Sequence, residues 1–328
     1  MGEFRFSVNV FTVEGPDAFA AWCRQVEAAG FDALYTADHL GVPAPFPVLV
    51  AAAQATERLR VGTLVLNTAF WNPALLAREI ATTDLLTGGR LEVGLGAGHM
   101  KWEFNTAGIE WERFDERADR LEDTLRQLQC AFAEPAFPEQ AGLREAFGVP
   151  VLAPVQRHGF GGHGPPLIVG GTGDRVLSIA AAHADVVSVA GAVRLRGRPP
   201  GSFRIGTAAE ADERVAFARA QAGDRADRIE WHTLLQAVVE TDDRDAAAAA
   251  LAARFGGTVA AADLLDSPFV LIGTVDEMAE QLLRSRDRFG FTHFTVHAPY
   301  REVFGAVIAR VQAPEDGRSR EARDRPLR

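Results

Sequence analysis

Short apolar segments alternate with stretches of helical periodicity along most of this chain. Continuous runs rich in Val, Ile, Leu and Phe between glycines or prolines predict buried strands, and apolar positions three and four residues apart predict helices. The predicted strands lie near residues 4–11, 32–37, 61–66, 90–95, 166–171, 185–190, 230–239 and 293–297. A helical pattern follows each of them, and this alternation is typical of parallel βα units.

Eight such units predict an α/β protein of the closed (β/α)8 (TIM) barrel type, and 328 residues suit one barrel. An open, doubly wound sheet is the main alternative. Residues 134–164 interrupt the alternation with prolines and a run of glycines, which predicts an insertion loop after the fourth βα unit. We therefore expect a single barrel domain over residues 1–311. Residues 312–328 are charged and lack an apolar period, which predicts a disordered tail.

Composition narrows the classes of partner. The net charge of −10 argues against nucleic acid, whose binding requires a basic surface. No apolar run approaches the roughly 20 residues that span a bilayer, so no membrane partner is expected. The first residues lack the character of a signal peptide, which predicts a cytoplasmic location. The two cysteines have no Cys or His at metal-binding spacing, and no metal site is predicted.

Candidate chemistry lies directly after the predicted strands, because the active site of a parallel barrel forms at the carboxyl ends of its strands. The polar and glycine positions found there are Asp38, His39, Asn67, Gly98, His99 and His297. Histidine at such a place can act as acid, base or hydrogen-bond donor. A purely structural role for each histidine stays open. Glu103 is near the same rim, and we interpret it, like the acidic residues after it, mainly as solvated helix charge.

A glycine turn follows the fifth predicted strand and begins a helix. It consists of Gly170, Gly171, Thr172 and Gly173. Such a turn presents backbone N–H groups to an anion such as phosphate. A tight βα turn that uses glycine for backbone freedom is an equal alternative. The segment matches neither a P-loop nor a dinucleotide fingerprint, which argues against a Rossmann dehydrogenase.

Several segments, taken in order, resemble the bacterial luciferase-like superfamily of flavin and deazaflavin (coenzyme F420) oxidoreductases. The first is EAAGFDALYTADH at 27–39, and the others are 60–67, 72–77, 87–98, 154–157, 165–171 and 180–185. The resemblance covers roughly residues 4–310. It implies a (β/α)8 barrel, a homodimer, a flavin or F420 cofactor, and an insertion at 134–164 that lies over the site.

The resemblance also assigns roles to single residues. The cofactor ring would rest on a bulge with a non-prolyl cis peptide, which corresponds to Leu64 and Val65. His39 matches the histidine that faces the ring, with Asp38 orienting it. The cofactor phosphate would bind at residues 170–173, and Asn67 and Gly98 complete the predicted cofactor site. The superfamily's sugar-phosphate dehydrogenases have a glutamate acid where this chain has His99, which argues against that particular activity.

These observations predict an oxidoreductase that transfers a hydride between coenzyme F420 and a small organic substrate. His39 or His99 would donate or accept the accompanying proton. One alternative is a monooxygenase that uses O2 and reduced FMN supplied by a separate reductase. A second alternative is a non-catalytic flavin-binding barrel.

Overall fold

The computed structural model describes residues 3–133, 141–148, 150–195, 197–199 and 202–313. The strands are β1 (Arg5–Val10), β2 (Ala33–Thr36), β3 (Arg60–Thr63), β4 (Leu66–Asn67), β5 (Leu91–Gly96), β6 (Leu167–Gly171), β7 (Val186–Val189), β8 (Ala192–Arg194), β9 (Phe203–Ile205), β10 (Glu230–Leu235), β11 (Ala237–Glu240), β12 (Val270–Gly273) and β13 (His293–His297). The helices are α1 (Pro16–Ala28), α2 (Pro45–Ala55), α3 (Pro73–Leu86), α4 (Lys101–Ala107), α5 (Phe114–Ala133), α6 (Ala141–Phe147), α7 (Asp174–His183), α8 (Ala208–Ala222), α9 (Arg244–Arg254), α10 (Ala261–Asp266), α11 (Val275–Phe289) and α12 (Arg301–Gln312).

Eight parallel strand positions close into a barrel. The neighbours follow the order β3, β2, β1, β13, β10, β7, β6 and β5, and β3 also pairs with β5, which closes the ring. The predicted (β/α)8 barrel is confirmed, and the open sheet is wrong. The main apolar core packs between the barrel wall and the surrounding helices. None of the described helices combines the length and the apolar character that crossing a bilayer requires.

Two predicted strands are each divided in the structure. The one predicted at 61–66 is interrupted by a bulge at residues 64 and 65, and β4 resumes the pairing with β5. The one predicted at 230–239 leaves the barrel at Gln236, whose N–H donates to the carbonyl of Phe269 at 2.7 Å. Beyond it, β11 pairs with β12 in a separate parallel sheet. Apolar residues continue on both sides of Gln236, so the sequence pattern does not predict that the chain leaves the barrel sheet there and pairs with β12 instead.

The described part of the segment 134–164 includes α6, and residues 134–140 and 149 lie outside the described residues. Its later part lies at the amino end of the barrel. The backbone N–H groups of Val155 and Gln156 donate to Oδ2 of Asp84 at 2.7 and 2.9 Å, and Gln156 Nε2 donates to the carbonyl of Leu91, where β5 begins. The expectation that this segment lies over the site is therefore wrong for these residues. The segment joins a helix end to a strand start, and both lie opposite the mouth.

The last described helix lies near the predicted boundary at 311: helix α12 ends at Gln312. The extent of the domain stays a prediction. Residues 314–328, which make up most of the predicted tail, lie outside the described residues.

The interior of the barrel carries an ion-pair network that the sequence analysis did not predict. Glu92 on β5 accepts hydrogen bonds from Arg5 at 2.6 Å and from the Tyr35 hydroxyl at 2.5 Å, and it is also bonded to Arg60. Arg5 donates in addition to Glu230 at 2.6 Å. Because β1, β2, β3, β5 and β10 all contribute, this network joins most of the barrel wall at its amino half.

Candidate active site

The carboxyl ends of the barrel strands bring most of the predicted site residues to one mouth. Asp38 and His39 follow β2, Asn67 ends β4, Gly98 and His99 follow β5, and His297 ends β13. The glycine turn at 170–173 begins with the last two residues of β6 and lies at the same end. This arrangement follows from the parallel barrel, in which all carboxyl ends point the same way.

His39 is held by a buried carboxylate. Glu103, in the first turn of α4, is 2% exposed, and its Oε1 accepts hydrogen bonds from His39 Nδ1 at 2.9 Å and from the Leu40 N–H at 3.0 Å. A carboxylate partner places the proton of the neutral ring on Nδ1 and leaves Nε2 to accept or donate a proton. The interpretation of Glu103 as solvated helix charge is wrong. Helix α4 turns this side chain inward, and its seven residues are too few to be predicted from periodicity.

Asp38 has a different task from the one predicted. Its Oδ2 accepts hydrogen bonds from Trp71 Nε1 at 2.9 Å and from the Asn67 N–H at 3.2 Å. Burial raises the pKa of Asp38, while the bonds from Trp71 and Asn67 act to lower it. The expectation that Asp38 orients His39 is therefore corrected. Glu103 binds the His39 ring, and Asp38 fastens the loop after β4.

His99 forms a wall of the mouth. Its ring stands edge-on to that of His39, with centroids 5.6 Å apart, and its other neighbour is Phe203 at 5.5 Å. Burial lowers the pKa of His99, and the nearby His39 lowers it further, so the neutral ring is favoured at neutral pH. Phe203 belongs to β9, which forms an antiparallel hairpin with β8. The sequence analysis missed this hairpin because strands of three residues leave no periodicity to detect.

The bulge after β3 contains a cis peptide bond between Leu64 and Val65, at the position that the resemblance indicates. Glycines make room for it. A Cβ atom at Gly96 would lie 2.6 Å from Val65 Cγ2, and one at Gly98 would lie 2.5 Å from Asn67 Oδ1. Gly98 also has a φ of +71°, which favours glycine. The bulge and the turn at Gly98 therefore pack as one unit.

Buried polar atoms at the mouth lack partners. Among the residues that the structure describes, those at the carboxyl ends of β1, β2, β4 and β13 are Asn9 Oδ1, Thr36 Oγ1, Asn67 Nδ2 and His297 Nδ1. Buried polar groups are nearly always hydrogen-bonded in native proteins, so such a group of atoms indicates a polar ligand. Donors and acceptors occur together, which fits the mixed edge of a flavin or deazaflavin ring. In the described ranges, no cluster of three His, Cys, Asp or Glu side chains could hold a metal ion.

The glycine turn that ends β6 is tightly packed and has an arginine beside it. A Cβ atom at Gly171 would lie 2.8 Å from Val176 Cγ1, and one at Gly170 would lie 3.0 Å from Ser188 Cβ. Arg214 donates to the Thr172 carbonyl at 3.5 Å and pairs with both Asp174 and Glu213. Packing thus explains the two glycines, and the charge of Arg214 is already balanced by carboxylates. The phosphate role of residues 170–173 stays a prediction.

A comparison with protein-family models gives a match to the family described as luciferase-like monooxygenase, over residues 4–293. The chain belongs to this family. One curated relative is the F420-dependent glucose-6-phosphate dehydrogenase of Amycolatopsis mediterranei (strain U-32), 33% identical over 124 residues. Another is the FMNH(2)-dependent dimethylsulfone monooxygenase of Pseudomonas putida, 39% identical over 87 residues. The matches cover 35% and 26% of this chain and only 37% and 24% of those proteins.

Solved structures share the fold over nearly the whole chain. An F420-dependent secondary alcohol dehydrogenase in complex with an F420-acetone adduct superposes with a TM-score of 0.69 at 16% identity, covering 95% of this chain and all of that one. The long-chain alkane monooxygenase LadA gives the same TM-score at 17% identity, covering 97% of this chain and 92% of that one. At these identities the likeness establishes the family's barrel fold alone.

Proposed function

We propose that this protein is an oxidoreductase that transfers a hydride between coenzyme F420 and a small organic substrate, and that His39 handles the accompanying proton. The observation that carries the proposal is the bond from His39 to the buried Glu103 at the mouth, beside polar atoms that lack partners. The F420-dependent curated relative supports the choice of cofactor. When bound, the deazaflavin would supply the hydride chemistry.

The residues around the mouth divide the remaining work. Glu103 fixes the His39 ring with Nδ1 protonated, which keeps Nε2 available for a substrate proton. Burial lowers the pKa of His99, which favours its neutral ring, and this ring lines the site together with Phe203. The bulge at Leu64 and Val65 would support the ring of the cofactor. Asn67 Nδ2 and His297 Nδ1 have hydrogen-bonding capacity to offer its polar edge.

At the outer part of the site, residues 170–173 would hold the cofactor phosphate. The backbone N–H groups at the start of α7 support this role. Arg214 lies beside the turn, where it donates to the Thr172 carbonyl. The net charge of the chain is −10, so a bound phosphate depends on such local groups.

Cofactor titration tests the proposal. We expect tryptophan fluorescence to report tighter binding of F420 than of FMN. We further expect His39→Ala to abolish turnover while F420 still binds, because the variant removes only the proton-handling ring. His158→Ala is the matched control, since His158 is exposed at the other end of the barrel. Unchanged turnover in His39→Ala would contradict the assigned role.

The reduced-FMN monooxygenase is the second candidate, and the match to the dimethylsulfone monooxygenase favours it. In that case a separate reductase would supply reduced FMN. Tighter binding of FMN than of F420, together with oxygen consumption when reduced FMN is supplied, would establish it in place of the first proposal. A barrel that binds either cofactor without turnover of any substrate would indicate the non-catalytic alternative.

We also propose that the protein is a homodimer that acts in the cytoplasm. Exposed leucines on the outer face of α3 support the dimer: Leu75 and Leu86 are each 51% exposed and lie three helical turns apart on the same side. Ala51 of the adjoining α2 is exposed as well. We expect light scattering to give a dimer mass for the wild type and a monomer mass for Leu75→Arg. A dimer that persists in that variant would exclude this face.

A further inference from the structure

A buried arginine at the edge of the mouth has no acidic partner. Arg117, in the first turn of α5, is 6% exposed. Its Nη1 donates to the backbone carbonyl of Glu112 at 2.5 Å, and its Nε has no hydrogen-bond partner. Within the part of the chain that the structure describes, no carboxylate oxygen lies within 4.0 Å of the guanidinium. Buried arginines are normally paired, so this side chain has unused capacity to bind an anion.

Aromatic rings hold the guanidinium in place. Its central carbon lies 3.8 Å from the centroid of Trp111 and 5.9 Å from the centroids of Phe104 and Phe114. Stacking on Trp111 stabilises the cation without using its N–H donors, which lie at the edge of the guanidinium plane. The aromatic rings thus fix the orientation of the guanidinium and leave its Nε–H without a hydrogen-bond partner.

The position of Arg117 connects it to the candidate active site. The Phe104 ring, beside which the guanidinium lies, belongs to the residue that follows Glu103, the partner of His39. The neighbouring Phe114 ring lies beside the glycine turn: a Cβ atom at Gly173 would be 3.9 Å from its Cζ. Arg117 therefore packs against one ring next to Glu103 and another next to the predicted phosphate turn.

A second cation belongs to the hairpin beside the mouth. Arg194, the exposed last residue of β8, is the register partner of Phe203, whose ring is the neighbour of His99, and its charge acts on Arg117. Burial lowers the pKa of Arg117, the Glu112 carboxylate raises it, and Arg194 lowers it again. Two like charges that act on one another favour an anion between them.

We propose that Arg117, assisted by Arg194, forms a binding subsite for an oxyanion group, a phosphate or a carboxylate, at the edge of the mouth beside His99. The group could belong to the cofactor or to an anionic substrate, and the chemistry of recognition is the same. The subsite itself follows from the buried, unpaired guanidinium. Only the identity of the molecule that brings the anion rests on the proposed function.

The first experiment uses inorganic phosphate and acetate with the cofactor-free protein. We expect both anions to raise the melting temperature of the wild type, and the rise to disappear in Arg117→Met. Arg120→Met is the matched control: Arg120 lies on the same helix but is exposed and already pairs with Glu112. It should respond as the wild type does. Arg117→Lys retains the charge and should keep part of the response, which guards against a folding defect in Arg117→Met.

The melting temperature without ligand separates binding from structure. Removing a buried cation without an acidic partner should leave the stability of Arg117→Met unchanged or higher. A purely structural arginine would instead lower the melting temperature in Arg117→Met and leave the anion response of Arg117→Lys intact. An anion response equal in Arg117→Met and wild type, or absent from the wild type, would overturn the proposal.

The second experiment identifies the source of the anion by calorimetry. If the cofactor brings it, Arg117→Met should weaken F420 by about 10- to 100-fold and leave its phosphate-free deazaflavin nucleoside unaffected. If the substrate brings the anion, Arg117→Met should bind both cofactor forms as the wild type does. Phosphate should then bind to the cofactor-loaded wild type but not to cofactor-loaded Arg117→Met. FMN and riboflavin provide the same comparison for the alternative cofactor. If no cofactor binds the wild type, the proposed function fails, and the anion response still decides the subsite.

Discussion

Replacing Glu92 with glutamine tests whether the ion pairs inside the barrel stabilise the fold. Glu92 is 1% exposed and is bonded to Arg5, Arg60 and Tyr35. Glutamine keeps the size of the side chain and removes its charge. The variant therefore leaves two largely enclosed guanidinium groups without their shared carboxylate, and Arg5 retains only Glu230.

The size of the effect follows from the pKa of Glu92. Burial raises this pKa, but the charges of Arg5 and Arg60 outweigh burial and lower it from 4.5 to about 2. Because one pKa unit equals about 1.4 kcal/mol, the ionised carboxylate contributes about 3 kcal/mol to the free energy of unfolding. Loss of one partner from a buried ion pair costs a similar 3–5 kcal/mol or so in other proteins.

The same shift sets the pH dependence. A carboxyl group with a lowered pKa in the folded state contributes its full stability above its ordinary pKa, near 4.5, and loses it as the pH falls towards 2. We therefore expect the wild type to exceed Glu92→Gln by about 3 kcal/mol at pH 7 and by progressively less below pH 4.5. Urea unfolding followed by circular dichroism at several pH values measures this difference.

The control for this prediction is Glu280→Gln. Glu280 pairs with Arg284 at 3.5 Å, and both side chains are exposed, so its loss should change the free energy of unfolding by less than about 0.5 kcal/mol. The reasoning is refuted if Glu92→Gln unfolds within that margin of the wild type at pH 7. A difference that stays constant down to pH 3 would refute the electrostatic origin.

Three further predictions concern the mouth. Glu103→Gln should lower kcat by about 10- to 100-fold and leave cofactor affinity unchanged, because it weakens the hydrogen bond that orients the His39 ring. Steady-state kinetics measures kcat, and cofactor titration measures the affinity. Gly98→Ala should cost about 1–3 kcal/mol in urea unfolding, since its Cβ would lie 2.5 Å from Asn67 Oδ1 at a φ of +71°. Asp38→Asn keeps an acceptor for Trp71 and should unfold at pH 7 with equal or higher free energy. Because burial raises the pKa of Asp38 above its ordinary value of 3.8, ionisation of Asp38 lowers the free energy of unfolding of the wild type as the pH rises above that value. The advantage of Asp38→Asn over the wild type should therefore shrink at low pH, and an advantage that grows there would contradict this.

Of the residues at the site, His39 could be predicted from the sequence, and its partner Glu103 could not. His39 was identified because it follows a predicted strand, and in a parallel barrel that position is at the mouth. Its partner Glu103 is 64 residues away on a helix of seven residues, too short to leave a period. The burial of Arg117 could not be predicted from the sequence either. Its position in the helical pattern is typical of a surface helix, and only the loop that carries Trp111 encloses its side chain.

Periodicity along the chain is sufficient to predict the succession of βα units and the barrel, and in a parallel barrel the carboxyl ends of the strands then indicate where the chemistry lies. Which charges meet is a property of the tertiary structure alone. Asp38 and Glu103 are both carboxylates near the rim in sequence, yet Asp38 binds Trp71 and Glu103 binds His39. Residues distant along the chain become partners only when the closed barrel brings their strands and loops together, and burial then decides which of them must be paired.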